Sequence, residues 1–263
     1  MSTILEEIAA HARARVAADK EKLPLGALKE HCAALGKGGG RRFYEAVRKD
    51  GLSLICEVKK ASPSKGVIAP VFDYRSIAAS YEKGGADCVS CLTEPRYFLG
   101  SDQIFSELRG QLSLPMLRKD FVVDAYQIYQ ARLLGADCVL LICALMDAAM
   151  LEKQLELCRE LGLAALTETH DEAEIATAIS AGAEMIGVNN RNLKDFSVDL
   201  GNAVRLREQI PKNILYIAES GIASPEDAGM LRKAGADAVL VGELLMRSND
   251  PAAMIRRMRD ASK

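Results

Sequence analysis

The chain has 263 residues, with 34 basic and 36 acidic side chains, a net charge of −2, 49% apolar content, 20 Gly, 8 Pro and no Trp. That balance excludes a disordered chain and one that grips nucleic acid through a broad basic surface, so specificity has to come from local sites. No stretch reaches the ~18 apolar residues of a membrane span, and the opening MSTILEEIAAHARARV mixes charges among its apolar positions, unlike a signal peptide; the expected address is the cytoplasm, with no membrane partner.

Residues 1–50 stand apart from the remainder of the chain. Ile4, Leu5, Ile8, Ala9 and Ala12 fall at helical spacing, Pro24 breaks the pattern, and Phe43 with Val47 suggests a second short helix. This reads as a helical extension that seals part of the adjoining domain and could border its site. Gly38, Gly39 and Gly40 have no strand leading into them, so they read as a loop rather than a dinucleotide turn. Arg41 and Arg42 read as solvated basic surface.

From residue 51 to 263 the chain repeats. GADCVSCL at Gly85, GADCVLLI at Gly135, GAEMIGVN at Gly182 and GADAVLVG at Gly235 start 50, 47 and 53 residues apart. Each follows a helical pattern (77–83, 126–134, 172–181 and 227–234) closed by a Gly-Ala turn, and each continues into an apolar run. Midway between these runs lie four more candidate strands, 52–59, 115–119, 164–168 and 214–219. Eight strands at even spacing, apolar on both faces and alternating with helices, predict an α/β fold of the closed (β/α)8 TIM-barrel kind.

The seven cysteines are odd in number in a chain with no secretory signal. Cys88 and Cys91 are three apart on one predicted strand and so point to opposite faces, and Cys138 and Cys143, five apart, do the same. Buried reduced thiols are expected, with no metal site.

In such a barrel, function collects at the C-terminal ends of the strands. The period of two places Glu57 and Lys59 on the face of Ile55, Lys119 on that of Leu117 and Glu168 on that of Leu166, with Asn189 and Glu219 ending two further strands. Singly, each is an ordinary rim residue. Together, two lysines and three acids in one cleft incur a desolvation cost that only mutual pairing or a ligand offsets. Ser220-Gly221, then Ser224-Pro225 opening a helix, and Gly242-Glu243 opening a short one, offer backbone N–H groups to an anion at the seventh and eighth loops. With Lys59 as counter-ion, the expected partner is a small sugar phosphate.

These segments resemble the indole-3-glycerol-phosphate synthase family. EVKKASPSKG over 57–66 carries the most specific likeness, joined by LTE (92–94), YFLGS (97–101), LRKDF (117–121), TETH (167–170), GVNNRNL (187–193), AESGI (218–222) and LVGE (240–243). The resemblance implies closure of 1-(2-carboxyphenylamino)-1-deoxyribulose 5-phosphate to indole-3-glycerol phosphate, with loss of carbon dioxide and water and without a cofactor. It implies that Lys119 is the general acid and Glu168 the carboxylate of the dehydration. Lys59 would contact the anionic groups, the division of acid work between the two lysines staying open. Glu57 and Asn189 would orient them, with Arg191 and Glu219 as supporting polar partners. Ser62, Ser220, Gly221, Gly242 and Glu243 match ligand-contacting positions, the last four around phosphate. At Glu243 the family often has Ser, which leaves its backbone N–H as the donor. Phe121 and Leu140 are candidate walls for the anthranilate ring, with core packing an equal reading for Leu140. Loop 60–71 is expected to fold over the substrate. Other phosphate-binding barrel enzymes, a sugar-phosphate isomerase or a thiamin-type synthase, share the phosphate turns but do not require the Glu57, Lys59, Lys119 and Glu168 set. A noncatalytic phosphate binder would be expected to have lost one of those four. With no long apolar patch in view, a monomer is expected.

Overall fold

The computed structural model of the chain describes residues 3–192 and 195–263; Leu193 of the GVNNRNL segment lies outside them. Eight parallel strands close a barrel: β1 (Ser53–Val58), β2 (Cys88–Leu92), β3 (Met116–Lys119), β4 (Cys138–Ile142), β5 (Ala164–Thr169), β6 (Met185–Asn189), β7 (Leu215–Glu219) and β8 (Ala238–Val241), with β8 pairing back onto β1 at Ser53↔Ala238. The (β/α)8 architecture is therefore the one observed. The four repeat glycines, Gly85, Gly135, Gly182 and Gly235, all have φ between 80° and 92°. That left-handed conformation is needed to end a helix and re-enter the sheet, and it is why Gly recurs there.

Alternation along the strands sorts the side chains. Ile55, Cys88, Leu117, Cys138, Leu140, Leu166, Met185, Ile217 and Leu240 fill the barrel interior. Leu54, Val89, Met116, Val139, Ile186 and Val239 face the surrounding helices. Each buried Leu, Ile or Met contributes about 1.5–3 kcal/mol relative to exposure, and this two-sided burial holds the parallel sheet. Cys88 lies inside and Cys91 outside, Cys138 inside and Cys143 outside; all seven cysteines are buried and free. Among the described residues, no group of three or more His, Cys, Asp or Glu side chains is placed to hold a metal, and no helix is long and apolar enough to cross a membrane.

The N-terminal segment holds more helix than expected. α1 (Ile4–Lys22) begins in a capping box between Thr3 and Glu6 and buries Ile8, Ala9, Ala12 and Val16. Pro24 does end its pattern, but it also stands directly before α2 (Leu25–Ala34), which buries Leu28 and Cys32. Proline's fixed φ and missing N–H suit a helix start as well as a helix end. The helix expected around Phe43 is thus the third, α3 (Gly40–Val47), opened by the last of the three glycines. Phe43 and Val47 plug the barrel's N-terminal end among Cys138 and Ala164. A Cβ on Gly40 would stand 2.3 Å from the Ala164 backbone nitrogen, so only glycine allows that approach. Arg41 is exposed, and Arg42 pairs with Asp137 at 2.9 Å, just before β4 and away from the strand ends where the site is expected.

Candidate active site

Glu57, Lys59, Ser62, Lys119, Phe121, Leu140, Glu168, Asn189, Arg191, Glu219, Ser220, Gly221, Gly242 and Glu243 all line one cavity of about 690 Å³ at the C-terminal mouth, a size suited to a small organic phosphate, whereas Ser224 and Pro225 stand outside its lining. Lys119, at the end of β3, reaches between two strands' carboxylates: its Nζ donates to Glu168 Oε2 at 3.2 Å and lies 3.4 Å from Glu219 Oε2. Asn189 Nδ2 donates to Glu168 Oε1 at 3.0 Å, while Asn189 Oδ1 accepts the Arg191 backbone N–H at 3.0 Å. The Arg191 guanidinium donates to the Phe196 carbonyl at 3.2 Å. Across the mouth, Lys59 Nζ donates to Glu57 Oε1 in a short contact.

Two glycines make room for these acids. A Cβ on Gly187 would fall 2.0 Å from Glu219 Oε1, and one on Gly242 would fall 2.5 Å from Glu57 Oε1 and 3.0 Å from Lys59 Nζ.

Burial lowers the proton affinity of Lys119, but Glu168, Glu219 and Glu57 outweigh it and hold the ammonium well above the usual lysine range. Burial likewise opposes an ionised Glu168, yet Lys119, His170 and Asn189 keep that carboxyl well below the ordinary range. Glu219 goes the other way. Burial first, then the neighbouring Glu168 and Glu57 charges, push it up to about 7 against the pull of Lys119. Carboxylates a few ångströms apart with opposed titration are a common mark of acid–base sites.

The side of the mouth formed by the seventh and eighth loops is built from turns. Ser220 (φ 65°) and Gly221 (φ 84°) are consecutive left-handed residues. The first is strained for a residue with a Cβ, and the Asn190 side-chain amide donates to its carbonyl at 3.1 Å. Ser224 caps the helix Pro225–Lys233 in a capping box. Gly242 leads into the short helix Glu243–Met246. The Glu243 carboxylate engages Arg247 at 3.0 Å and Lys65 at 3.8 Å.

Opposite lies an apolar wall where Phe121 packs on Phe98 with ring centroids 5.8 Å apart, beside Leu140. Loop 60–71 contains a small hairpin, Ala61–Ser62 against Gly66–Val67, and brings Ser62 and Lys65 to the cavity.

Ile4, Leu5 and Ile8 of α1 line the cavity, so the N-terminal extension borders the site as well as packing on the barrel. Three further contributors carry no expected role. Arg15 of α1 donates to Asp120 at 2.6 Å, anchoring the helix beside Lys119. Glu94, fully buried, accepts the backbone N–H groups of Arg96, Tyr97 and Phe98 at 3.1, 2.6 and 3.1 Å, which fixes the turn presenting Phe98. His170 stands behind Glu168, its Nε2 3.5 Å from Glu168 Oε1. Glu94 and His170 share inward parity with Leu92 and Glu168, the signal that could have found them.

A closed (β/α)8 barrel with a buried lysine clamped by two carboxylates at its C-terminal mouth belongs to the class of acid–base barrel enzymes. Within that class the chain belongs to the indole-3-glycerol phosphate synthase family, whose model matches residues 5–258. It is 48% identical to the indole-3-glycerol phosphate synthase of Ruminiclostridium cellulolyticum, over 98% of this chain and 100% of that protein. It is 45% identical to that of Lachnoclostridium phytofermentans, over 97% and 98%. Among solved structures, the fold resembles 3-hexulose-6-phosphate synthase from Salmonella typhimurium (TM-score 0.66, 13% identity, 80% of this chain and 98% of that one). It also resembles thiamine phosphate pyrophosphorylase from Pyrococcus furiosus (TM-score 0.60, 18% identity, 80% and 95%). At such low identity these two share the fold alone.

Proposed function

We propose that the protein closes the indole ring of 1-(2-carboxyphenylamino)-1-deoxyribulose 5-phosphate, releasing carbon dioxide and water to give indole-3-glycerol phosphate. The observation that carries this reading is the Lys119 ammonium held 3.2 Å from Glu168 and 3.4 Å from Glu219 in a cavity lined also by Phe121, Leu140 and the Ser220-Gly221 and Gly242 turns. Ring closure sends an aromatic carbon onto a ketone, and Lys119 protonates the oxygen as it becomes an alkoxide. Loss of carbon dioxide restores the aromatic ring. Dehydration then needs a base, Glu168, and an ammonium to protonate the departing hydroxyl, which Lys59 or Lys119 supplies.

Glu57 and Asn189 orient the two lysines and Glu168. Arg191 and Glu219 support them, and Glu219 lies within reach of Lys119 to restore its proton. Ser220, Gly221, Gly242 and the Glu243 backbone receive the phosphate, with Ser62 on the covering loop. Phe121 and Leu140 flank the anthranilate ring. The reading calls for proton transfers only, with no cofactor or metal, in a cytoplasmic monomer whose residues 1–50 form an extension packed on a catalytic domain of residues 51–263.

The test is indole fluorescence from purified protein and synthetic substrate. Lys119→Ala and Glu168→Gln are each expected to lower turnover about 10²-fold or more. Near-normal rates in both variants sink the assignment of roles, and absence of product from the wild-type protein sinks the reaction.

A further inference from the structure

His170 is placed between two carboxylates and has no part in the reaction steps proposed above. It follows β5, two residues beyond Glu168 on the same face, and its side chain is mostly buried. Nδ1 lies 3.0 Å from Glu174 Oε2, and the same oxygen accepts the His170 backbone N–H at 2.8 Å. Nε2, on the other side of the ring, is buried, has no hydrogen-bond partner among the described residues, and points to Glu168 Oε1 at 3.5 Å. A neutral imidazole carries one N–H and one lone pair, so either tautomer would aim a lone pair at a carboxylate; only the doubly protonated ring suits both neighbours.

The other groups nearby agree with this. Asn202 donates to the His170 carbonyl at 3.3 Å, which fixes the backbone. The Cys143 thiol, beside Glu174, is pushed up to about 12 by burial and then by Glu174, and so stays neutral. Asp171 caps the helix Glu172–Ser180 by accepting the Glu174 backbone N–H. The cation facing Glu168 from the cavity side is Lys119, and the further acids there are Glu219 and Glu57.

We propose that His170, locked by Glu174, is a positioning residue that gives Glu168 a permanent second cation. The need for one arises from the proposed chemistry, on which this inference rests. When Lys119 passes its proton to the substrate, its charge leaves the cluster, and a buried Glu168 beside Glu219 would then be driven to take up a proton. An imidazolium that takes no part in the transfer keeps Glu168 ionised and its carboxylate oriented, ready for the dehydration. Burial alone would lower the His170 proton affinity, but Glu168 and Glu174 overcome that and raise it to about 10, which accords with the geometry.

The imidazole can be read directly. In wild-type protein with 15N-labelled histidine, the His170 signals, assigned by their loss in a His170 variant, are expected to keep the doubly protonated signature at about pH 8; an ordinary transition near 6.5 overturns the proposal. With substrate, His170→Gln is expected to lower kcat about 10-fold, to leave KM within about two-fold, and to move the acid limb of the kcat profile upward by roughly one pH unit, since the lost cation raises Glu168. Glu174→Gln should move the limb the same way by less. A lower melting point with an unmoved acid limb is what a purely structural histidine gives, and it also overturns the proposal. Should His170→Gln not fold, Glu174→Gln and the wild-type resonance decide. A wild-type protein that makes no indole product would refute the proposed reaction while leaving the resonance measurement valid, so the two failures are distinct.

Discussion

Replacing Gly187 by alanine tests whether the interior of β6 is shaped around Glu219. The added methyl carbon would stand 2.0 Å from Glu219 Oε1 and 3.1 Å from Leu166 Cδ1. Ordinary contact begins near about 3.5 Å, so the carboxylate must retreat by roughly 1.5 Å. The barrel interior offers little slack: Leu166 and Ile217 are fully buried, and Glu219 is 1% exposed. Overpacking of this kind costs about 1–3 kcal/mol. The retreating carboxylate also abandons its place 3.4 Å from Lys119, and a displacement on the order of 1 Å in a catalytic cluster lowers turnover by up to about 10²-fold. Urea unfolding midpoints and single-turnover indole fluorescence measure the two effects. The source of the strain is checked by adding Gly187→Ala to a Glu219→Ala background, where the methyl has no carboxylate to meet and most of the stability cost should disappear. Unchanged kcat in Gly187→Ala, or a cost that persists in full without Glu219, would refute the reasoning.

Glu219 also predicts a pH dependence. Its folded value, raised to about 7 from 4.5, means that the folded state binds the extra proton; the stabilisation this brings is complete below pH 4.5 and is lost as pH rises through 7. The melting temperature of Glu219→Gln relative to wild type should therefore climb between those limits and level off above them, and a constant offset would contradict the assignment. Arg15→Met removes the α1 partner of Asp120, which is 1% exposed; a stability loss of about 3 kcal/mol is expected, with some relief from Thr93, Arg118 and the Phe121 N–H, and a loss below about 1 kcal/mol in urea would show the contact to be incidental. The seven buried thiols should resist Ellman's reagent in native buffer and all react in denaturant; fast native labelling of any of them would contradict the packing described.

Much of the barrel was legible because its signals repeat. The left-handed Gly at the end of a helix, the small Ala after it and an apolar strand recur four times, and the strands' two-sided burial makes them continuous rather than alternating. α2 is hard to see in the sequence because Pro24 both stops one helix and starts the next, and because its buried face is narrow, Leu28 and Cys32 four residues apart. The lysines and acids were legible because each ends an apolar run at inward parity. His170 was not, although it has the same parity, because its role depends on Glu174 on the next helix, a pairing that only the folded turn creates.

Gly187 and Gly242 carry the same lesson to the packing level. Both occupy inward positions where neighbouring strands place Leu166, Ile217 or Leu240, so by core logic alone they look like gaps. They are better understood as volume set aside for charge. A carboxylate that must lie flat against the barrel floor to meet Lys119 or Lys59 needs a neighbour with no side chain, and closed-barrel geometry decides which neighbour that is. An inward glycine one strand away from an inward acid is therefore readable in sequence once the register is known. β6 against β7 supplies one case, with Gly187 opposite Ile217 and the acid two residues further along. The glycine directly after β8 supplies the other, beside Glu57 of β1. The cluster's acids thus hold their positions partly through ion pairs and partly because the barrel leaves them space only there.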